Sequence, residues 1–273
     1  MPSLTIEPIT ATLGAEVSGF SMADVDDSTR DELRKAWLDY KVLVLRDQHV
    51  SIEEHIAFGA LFGELEVHPF TEGIDGYPEI VLLEAGGDTG KTFVAAGWHS
   101  DVTWRAEPSM GSILRGREIP AVGGDTCFSD ATAAYDRLSD EWKERVDDKF
   151  AIHDYARVFA SRVAPEEQEA IREKYPPQRH PVIRTHPETG ARGIYTNIGF
   201  TSHIDGVDET ESRAILRHLE RAIMNPSIQM RVRWRPDTFV MWDNRAVQHA
   251  ATNDFLPAYR RMERVTVIGD RPY

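Results

Sequence analysis

The spacing of apolar and polar positions changes character several times along the chain. Four windows repeat their apolar residues at helical spacing, and several open on Ser, Thr or Asp followed by acidic residues, as helix N-termini do. They predict helices at 28–40 (STRDELRKAWLDY), 51–63 (SIEEHIAFGALFG), 132–149 (TAAYDRLSDEWKERVDDK) and 208–224 (DETESRAILRHLERAIM). Short runs rich in β-branched and aromatic residues predict strands at 41–47, 79–85, 109–116, 124–130, 180–186 and 191–197, then at 229–235, 237–243 and 260–269. ETG (188–190) and RPD (235–237) read as hairpin turns. Helices come early and once late, while strands dominate the middle and the end, unlike regular βαβ alternation. The order predicts an α+β, mainly β fold: a double-stranded β-helix (jelly roll) core with flanking helices. With no internal repeat or linker-like tract, residues 1–273 read as a single domain with a helical insertion near 132–175.

Composition narrows the functions available. The formal net charge of −14 opposes general binding to nucleic acid or anionic membrane, so an anionic ligand needs a local basic pocket. No window approaches the roughly 20 apolar residues of a membrane span. One cysteine, Cys127, excludes an internal disulfide, and the N-terminal stretch lacks the pattern of a signal peptide. A cytoplasmic protein is expected.

The candidate chemistry begins at WHSDVTW (98–104). In an extended segment, residues two apart face one side, so His99 and Asp101 can address one ion. The same His-x-Asp spacing recurs at His203 and Asp205 in NIGFTSHIDG, where it reads as a loop pair. A distant histidine would complete a two-His-one-carboxylate triad, the set that suits non-haem Fe(II) oxygenases, and His249 is the natural partner. Arg260 and Arg264 follow His249 at +11 and +15. On a strand, residues 260, 262 and 264 share a face, so both guanidiniums enter one cavity while Arg261 and Glu263 point out. Inward arginines require anions, and the planar fork matches carboxylate or sulfonate.

WHSDVTW, GGDT (123–126), WDNR with His249, and the Arg260/Arg264 pair resemble the taurine dioxygenase family (TauD/TfdA). The likeness runs from LGAEVSG (13–19) through LRDQ (45–48), FGELEVHP (62–69) and RTHPETG (184–190) to the end. It implies Fe(II) held by His99, Asp101 and His249, with 2-oxoglutarate and O2 as cosubstrates. Thr126 and Arg260 would hold the C5 carboxylate of 2-oxoglutarate. Arg264 would lie between the keto-acid end and the anionic head of the primary substrate. His68 matches a histidine that touches a substrate sulfonate, the Val102 backbone would line the pocket, and Phe159 and Phe200 match aromatic pocket positions. The resemblance further implies oxidative decarboxylation coupled to substrate hydroxylation, and a homo-oligomer, dimer or tetramer. A lid loop is expected near 70–97, where residues 86–97 are rich in Gly and Ala.

Two positions depart from the taurine-specific pattern. Thr71 stands where a tyrosine meets the substrate amine, and Ala95 where an asparagine is found. Loss of amine partners argues against taurine and for a small anionic substrate with a less polar tail: a sulfonate, a sulfate ester or, alternatively, an aryloxyalkanoate. A jelly-roll metal- or ligand-binding protein without oxygenase activity would need neither Arg260 nor Thr126, and a zinc hydrolase would leave the arginine pair unexplained.

Overall fold

The computed structural model describes residues 4–71, 73–91 and 97–273. In chain order its strands are β1 (Thr5–Pro8), β2 (Ala15–Ser18), β3 (Val42–Leu45), β4 (Gly73–Ile74), β5 (Tyr77–Ala85), β6 (Ser109–Glu118), β7 (Thr126–Asp130) and β8 (Phe150–His153). They continue with β9 (Gln178–Pro181), β10 (Ile183–Thr185), β11 (Arg192–Ile194), β12 (Thr201–Ile204), β13 (Gln229–Val232), β14 (Phe239–Asp243), β15 (Val247–Ala251) and β16 (Arg260–Ile268). The helices are α1 (Asp27–Tyr40), α2 (Ile52–Ala60), α3 (Ala131–Asp136), α4 (Asp140–Val146), α5 (Ala156–Phe159), α6 (Gln168–Lys174) and α7 (Glu209–Ile223). The fold is mixed helix and strand. A large sheet in the order β1-β2-β3-β14-β6-β16-β5-β4 accompanies three smaller ones: β13-β7-β15, β12-β8-β9 and the β10-β11 hairpin.

Alternation along the central strands sets the layers. Leu43, Leu45, Phe239, Met241, Val265 and Val267 pack on one side of the large sheet with Leu33, Trp37, Phe58 and Phe62 from the α1 and α2 region. Val42, Val44, Val240, Trp242 and Met262 pack on the other side with Phe128, Met230, Val232 and Val247 of the β13-β7-β15 sheet. Both faces are therefore covered, which explains why β3 reads as the unbroken apolar run VLVL rather than an alternating one. The side facing the small sheet carries the candidate site.

The end signals of the first two helices act as expected. Asp26 accepts from the Thr29 N–H at the start of α1, and Ser51 and Glu54 form a reciprocal capping box on α2. The expected 132–149 helix is divided into α3 and α4, because Ser139 caps a new start by accepting from the Trp142 N–H. The expected 180–186 strand is also divided: β9 pairs with β8 and β10 with β11. ETG closes the β10-β11 hairpin. RPD turns the chain, but the strands it joins lie in different sheets, β13 on β7 and β14 on β3 and β6. Within the span 70–97, residues 77–85 form β5, while residue 72 and residues 92–96 lie outside the described residues. No helix among the described residues is long and apolar enough to cross a membrane.

His55 on α2 is fully buried, its Nε2 bonded to the Ile113 carbonyl (3.1 Å) and its ring edge-on to Phe239. Burial pushes its pKa from 6.5 to about 3. The unfolded chain thus takes up a proton before the folded one, so this contribution to stability is complete above 6.5 and is lost as pH falls toward 3. The expected loss is about 2 kcal/mol between pH 7 and pH 5. Urea unfolding of His55→Gln at the two pH values should show a correspondingly shallower decline than wild type; equal declines would refute this account.

Candidate active site

His99 and His249 face each other across an isolated antiparallel bridge. The His99 N–H donates to the His249 carbonyl (3.0 Å) and the His249 N–H to the His99 carbonyl (2.8 Å). Direct opposition brings the ring centroids to 4.3 Å. Asp101 sits two residues on, not in a continued strand but in a turn over 101–104. Its Oδ1 lies 3.8 Å from His99 Nε2 and 3.9 Å from His249 Nε2. The ligand atoms of the three residues lie within 4.8 Å of one another, and no other such group of three metal-ligating side chains occurs among the described residues. His203 and Asp205 do not converge: Asp205 pairs with Arg179 at 2.7 Å, and His203 bonds Ser202.

The protonation states suit a cation. Burial pushes the His99 imidazole down and that of His249 to about 3, which leaves both rings neutral. His99 Nδ1 bonds the Gly97 carbonyl (2.9 Å), which makes it the protonated nitrogen and turns the Nε2 lone pair inward. Burial alone would raise the Asp101 carboxyl, but the guanidinium of Arg264 and then the two histidines hold it below the usual carboxylate range. Two neutral nitrogens and one anionic oxygen form the donor set that accepts ferrous iron and leaves coordination positions open.

Asp101 is fixed from behind by residues that the sequence reading did not single out. Ser112 on β6 donates to Asp101 Oδ2 (2.7 Å). Asn244 accepts from the Asp101 N–H (3.1 Å) and donates to Ser112 Oγ (3.1 Å), and Trp242 Nε1 donates to the Asn244 oxygen (2.9 Å). Asn244 thus serves the site, whereas its neighbours Asp243 and Arg245 pair with each other (2.7 Å), structural members of the same WDNR motif. Glu66, 3 % exposed and paired with Arg105 at 2.8 Å, was likewise missed; nothing local in FGELEVHP sets it apart from the exposed Glu64.

The triad opens into a cavity of about 980 Å³, lined in part by Thr126, Arg260, Arg264, His68, Phe159 and Phe200. Arg260, Met262 and Arg264 share the inward face of β16, all buried. Arg261 is partly exposed, but Glu263 is not outside as expected: it is 1 % exposed and paired with Arg261 (3.1 Å), because the other face of β16 is covered too. Arg264 Nη1 lies 2.7 Å from Asp101 Oδ1. Arg260 makes no ion pair among the described residues; its Nε donates to the Gly124 carbonyl (3.1 Å), and burial lowers its pKa to about 10. A buried guanidinium that faces a cavity and has no carboxylate paired to it is a receptor for an anion. The GGDT motif makes room for it. Gly124 has φ +73°, and a Cβ there would come within 3.0 Å of Arg260 Cδ; a Cβ on Gly123 (φ +80°) would strike the Asp254 carbonyl at 2.7 Å. Thr126 accepts from Trp234 Nε1 (3.0 Å), which leaves its hydroxyl proton to donate.

On the far side of the triad, His68 Nδ1 accepts from the Phe70 N–H (3.2 Å), so its ring proton sits on Nε2. Burial, and next the charge of Arg264, pushes its pKa to about 3, so it is a neutral donor. Phe159 stacks between Phe70 (5.3 Å) and Phe200 (6.0 Å), and Val102, Val163 and Ile171 extend this apolar wall. Thr71 lines the cavity mouth, where Arg162 lies over the Phe159 ring at 5.2 Å; Ala95 lies outside the described residues. Trp104 packs in this aromatic cluster and Trp98 against the cluster behind the ligand segment.

Comparison with known proteins agrees with this geometry. The family described as "Taurine catabolism dioxygenase TauD, TfdA family" matches residues 5–266. The chain is 33 % identical to an alkylsulfatase of Acinetobacter baylyi over 278 residues, covering 98 % of this chain and 86 % of that protein. It is 32 % identical to an (S)-phenoxypropionate/alpha-ketoglutarate-dioxygenase of Sphingobium herbicidovorans over 280 residues, covering 98 % and 96 %. The crystal structure of a taurine dioxygenase from Burkholderia xenovorans superposes with a TM-score of 0.84 at 34 % identity, covering 99 % of this chain and 93 % of that one.

Proposed function

Because this chain belongs to the taurine dioxygenase (TauD/TfdA) family, and is on that footing a 2-oxoglutarate-dependent non-haem iron dioxygenase, we propose that it hydroxylates a small anionic substrate with an apolar tail, an alkyl sulfate ester or sulfonate in preference to taurine. One observation carries the preference. The anion donors His68 and Arg264 stand beside the triad, and the wall that leads outward from them is Phe70, Phe159, Phe200, Val163 and Ile171. Among the described residues of that outer wall, the one acid is Glu167, at the exposed rim. The facing sheets are read here as a double-stranded β-helix, with residues 1–273 forming one cytoplasmic catalytic domain that works as a homo-oligomer.

His99, Asp101 and His249 are the residues that would hold ferrous iron, which when bound supplies the O2-dependent oxidation coupling loss of CO2 from 2-oxoglutarate to C–H hydroxylation. The chain's own groups do the rest. Arg260 forks onto the C5 carboxylate of 2-oxoglutarate, and Thr126 donates its hydroxyl to the same group. Arg264 bridges Asp101 and the substrate anion, and His68 Nε2–H donates to that anion. Val102 presents its backbone beside it, and the aromatic wall excludes water from the carbon to be hydroxylated. Hydroxylation of the carbon that bears a sulfate oxygen gives an unstable adduct. Its hydroxyl loses a proton as the C–O bond to sulfate breaks, sulfate leaves with the electron pair, and an aldehyde remains.

The test is succinate formation from Fe(II), 2-oxoglutarate and a panel of hexyl sulfate, hexanesulfonate, taurine and (S)-phenoxypropionate. Hexyl sulfate should give sulfate and succinate in equal amounts, with kcat/KM exceeding that for taurine by about 100-fold. The carboxylate reading, favoured by the phenoxypropionate relative, predicts phenol release instead. Taurine as the best member of the panel would sink the apolar-tail reading.

A further inference from the structure

We propose that a closed ring of buried polar groups, Thr103–His153–Thr201–Asn197, positions the anion-binding end of the substrate pocket by holding Val102 in its left-handed backbone conformation; the proposal rests on the functional reading above. Val102 is a β-branched residue at φ +45°, where such side chains are rarely found. It is 3 % exposed, lines the cavity immediately after Asp101, and its N–H has no hydrogen-bond acceptor among the described residues. A strained conformation of this kind persists only where its surroundings over-determine it.

The surroundings are explicit. On either side of Val102, the Asp101 N–H is held by Asn244, and the Arg105 N–H closes the turn onto the Val102 carbonyl at 3.0 Å. Thr103, with no exposed surface, anchors the turn through its hydroxyl. That oxygen lies 2.9 Å from His153 Nδ1 and accepts from Asn197 Nδ2 at 3.1 Å. The Asn197 N–H in turn donates to Thr201 Oγ1 (2.9 Å), which lies 3.4 Å from His153 Nε2 and closes the ring. Burial, with His180 adding to it, keeps His153 well below its ordinary pKa. The neutral imidazole therefore donates to one threonine hydroxyl and accepts from the other.

The ring joins two segments of the same apolar wall. Asn197 Oδ1 accepts from the Phe200 N–H (2.8 Å), and the Phe200 carbonyl accepts from the Asp154 N–H (2.9 Å), next to His153. Phe200 is the aromatic residue beside His99, at 6.0 Å. One threonine hydroxyl thus links the turn that presents the Val102 N–H to the turn that presents the Phe200 ring. None of the four ring members lines the cavity, so they act through Val102 and Phe200 and are positioning residues.

The test is Thr103→Val, which keeps the shape and removes the hydroxyl, with Thr103→Ser as the conservative rescue. With hexyl sulfate as probe, Thr103→Val should raise the KM for the sulfate about tenfold, with kcat and the KM for 2-oxoglutarate within about threefold of wild type. Thr103→Ser should restore the sulfate KM. A crystal structure of Thr103→Val should show Val102 out of the positive-φ region. Should that variant fail to fold, Thr201→Val opens the same ring and should give the same selective rise and backbone change. An unchanged sulfate KM, an equal loss in both substrates' parameters, or a Val102 still at positive φ would each overturn the proposal. Wild type that converts no sulfate or sulfonate would defeat the functional reading instead; the position of Val102 in the variant structure then judges the ring alone.

Discussion

Asp101→Asn should lower the affinity for ferrous iron, or for Co(II) as its spectroscopic surrogate, by at least about 1,000-fold and abolish turnover. Removing a hydrogen-bond partner behind a ligand already costs roughly 10- to 100-fold in metal affinity, and here the loss is the ligand charge itself. Asp101 is the only anion in the triad. Without it, a divalent cation would meet two neutral imidazoles and the guanidinium of Arg264, which lies 2.7 Å from the carboxylate. An amide restores neither the charge nor the acceptor pair, since Oδ2 also accepts from Ser112. The shape is conserved, so the variant should fold, and an unchanged circular dichroism spectrum would confirm that the loss is local. Titration with Co(II), followed through its visible absorption, measures the affinity. Ser112→Ala should fall between the two, at about tenfold. An Asp101→Asn protein that binds Co(II) within tenfold of wild type would remove these three residues from consideration as the metal centre.

Much of this site was legible in the sequence because its chemistry is unusual for its context. Two arginines four apart on one face of a strand in an acidic chain call for anions, and β16 does place Arg260 and Arg264 on one buried face. The paired glycines of GGDT were legible as a motif, but their reason is spatial: the space a Cβ would fill belongs to Arg260 and Asp254. The strand that carries His249 was not foreseen. VQHAA lacks the β-branched density of its neighbours, and its extended form comes from pairing with β7 and with the His99 segment. Glu263 was misplaced for a related reason: alternation tells which residues share a face, not whether the opposite face is solvated. Ser112, Asn244 and the Thr103 ring were invisible because Ser, Thr and Asn are common, and only tertiary contact gives them a task. The helices α1, α2 and α7 followed local capping chemistry closely, whereas 132–149 divided where a second capping serine outweighed continuous helical spacing.

Arg260→Met should raise the KM for 2-oxoglutarate by about 100- to 1,000-fold, while the Co(II) affinity of the triad stays close to wild type. Arg260 is 4 % exposed and has no acid partner among the described residues; its guanidinium donates to the Gly124 carbonyl and lies over the Phe255 ring at 5.8 Å. Its burial is therefore uncompensated until an anion arrives. Truncating one partner of a buried, hydrogen-bonded charge pair costs about 2–5 kcal/mol, which corresponds to roughly 30- to 4,000-fold and brackets that range. Methionine fills the space of the side-chain stem, so packing beside Gly124 and Phe255 is kept and the lost charge is what is measured. Arg260→Lys discriminates further. A lysine retains the charge but not the planar fork, and it loses the Nε bond to the Gly124 carbonyl, so it should recover at most about tenfold of the loss. Thr126→Val removes a neutral donor from the same carboxylate and should cost about tenfold. The graded order Met, Lys, Val is the signature of a forked carboxylate clamp. A lysine variant indistinguishable from wild type would mean that Arg260 provides only a diffuse positive potential and that the C5 carboxylate is held elsewhere.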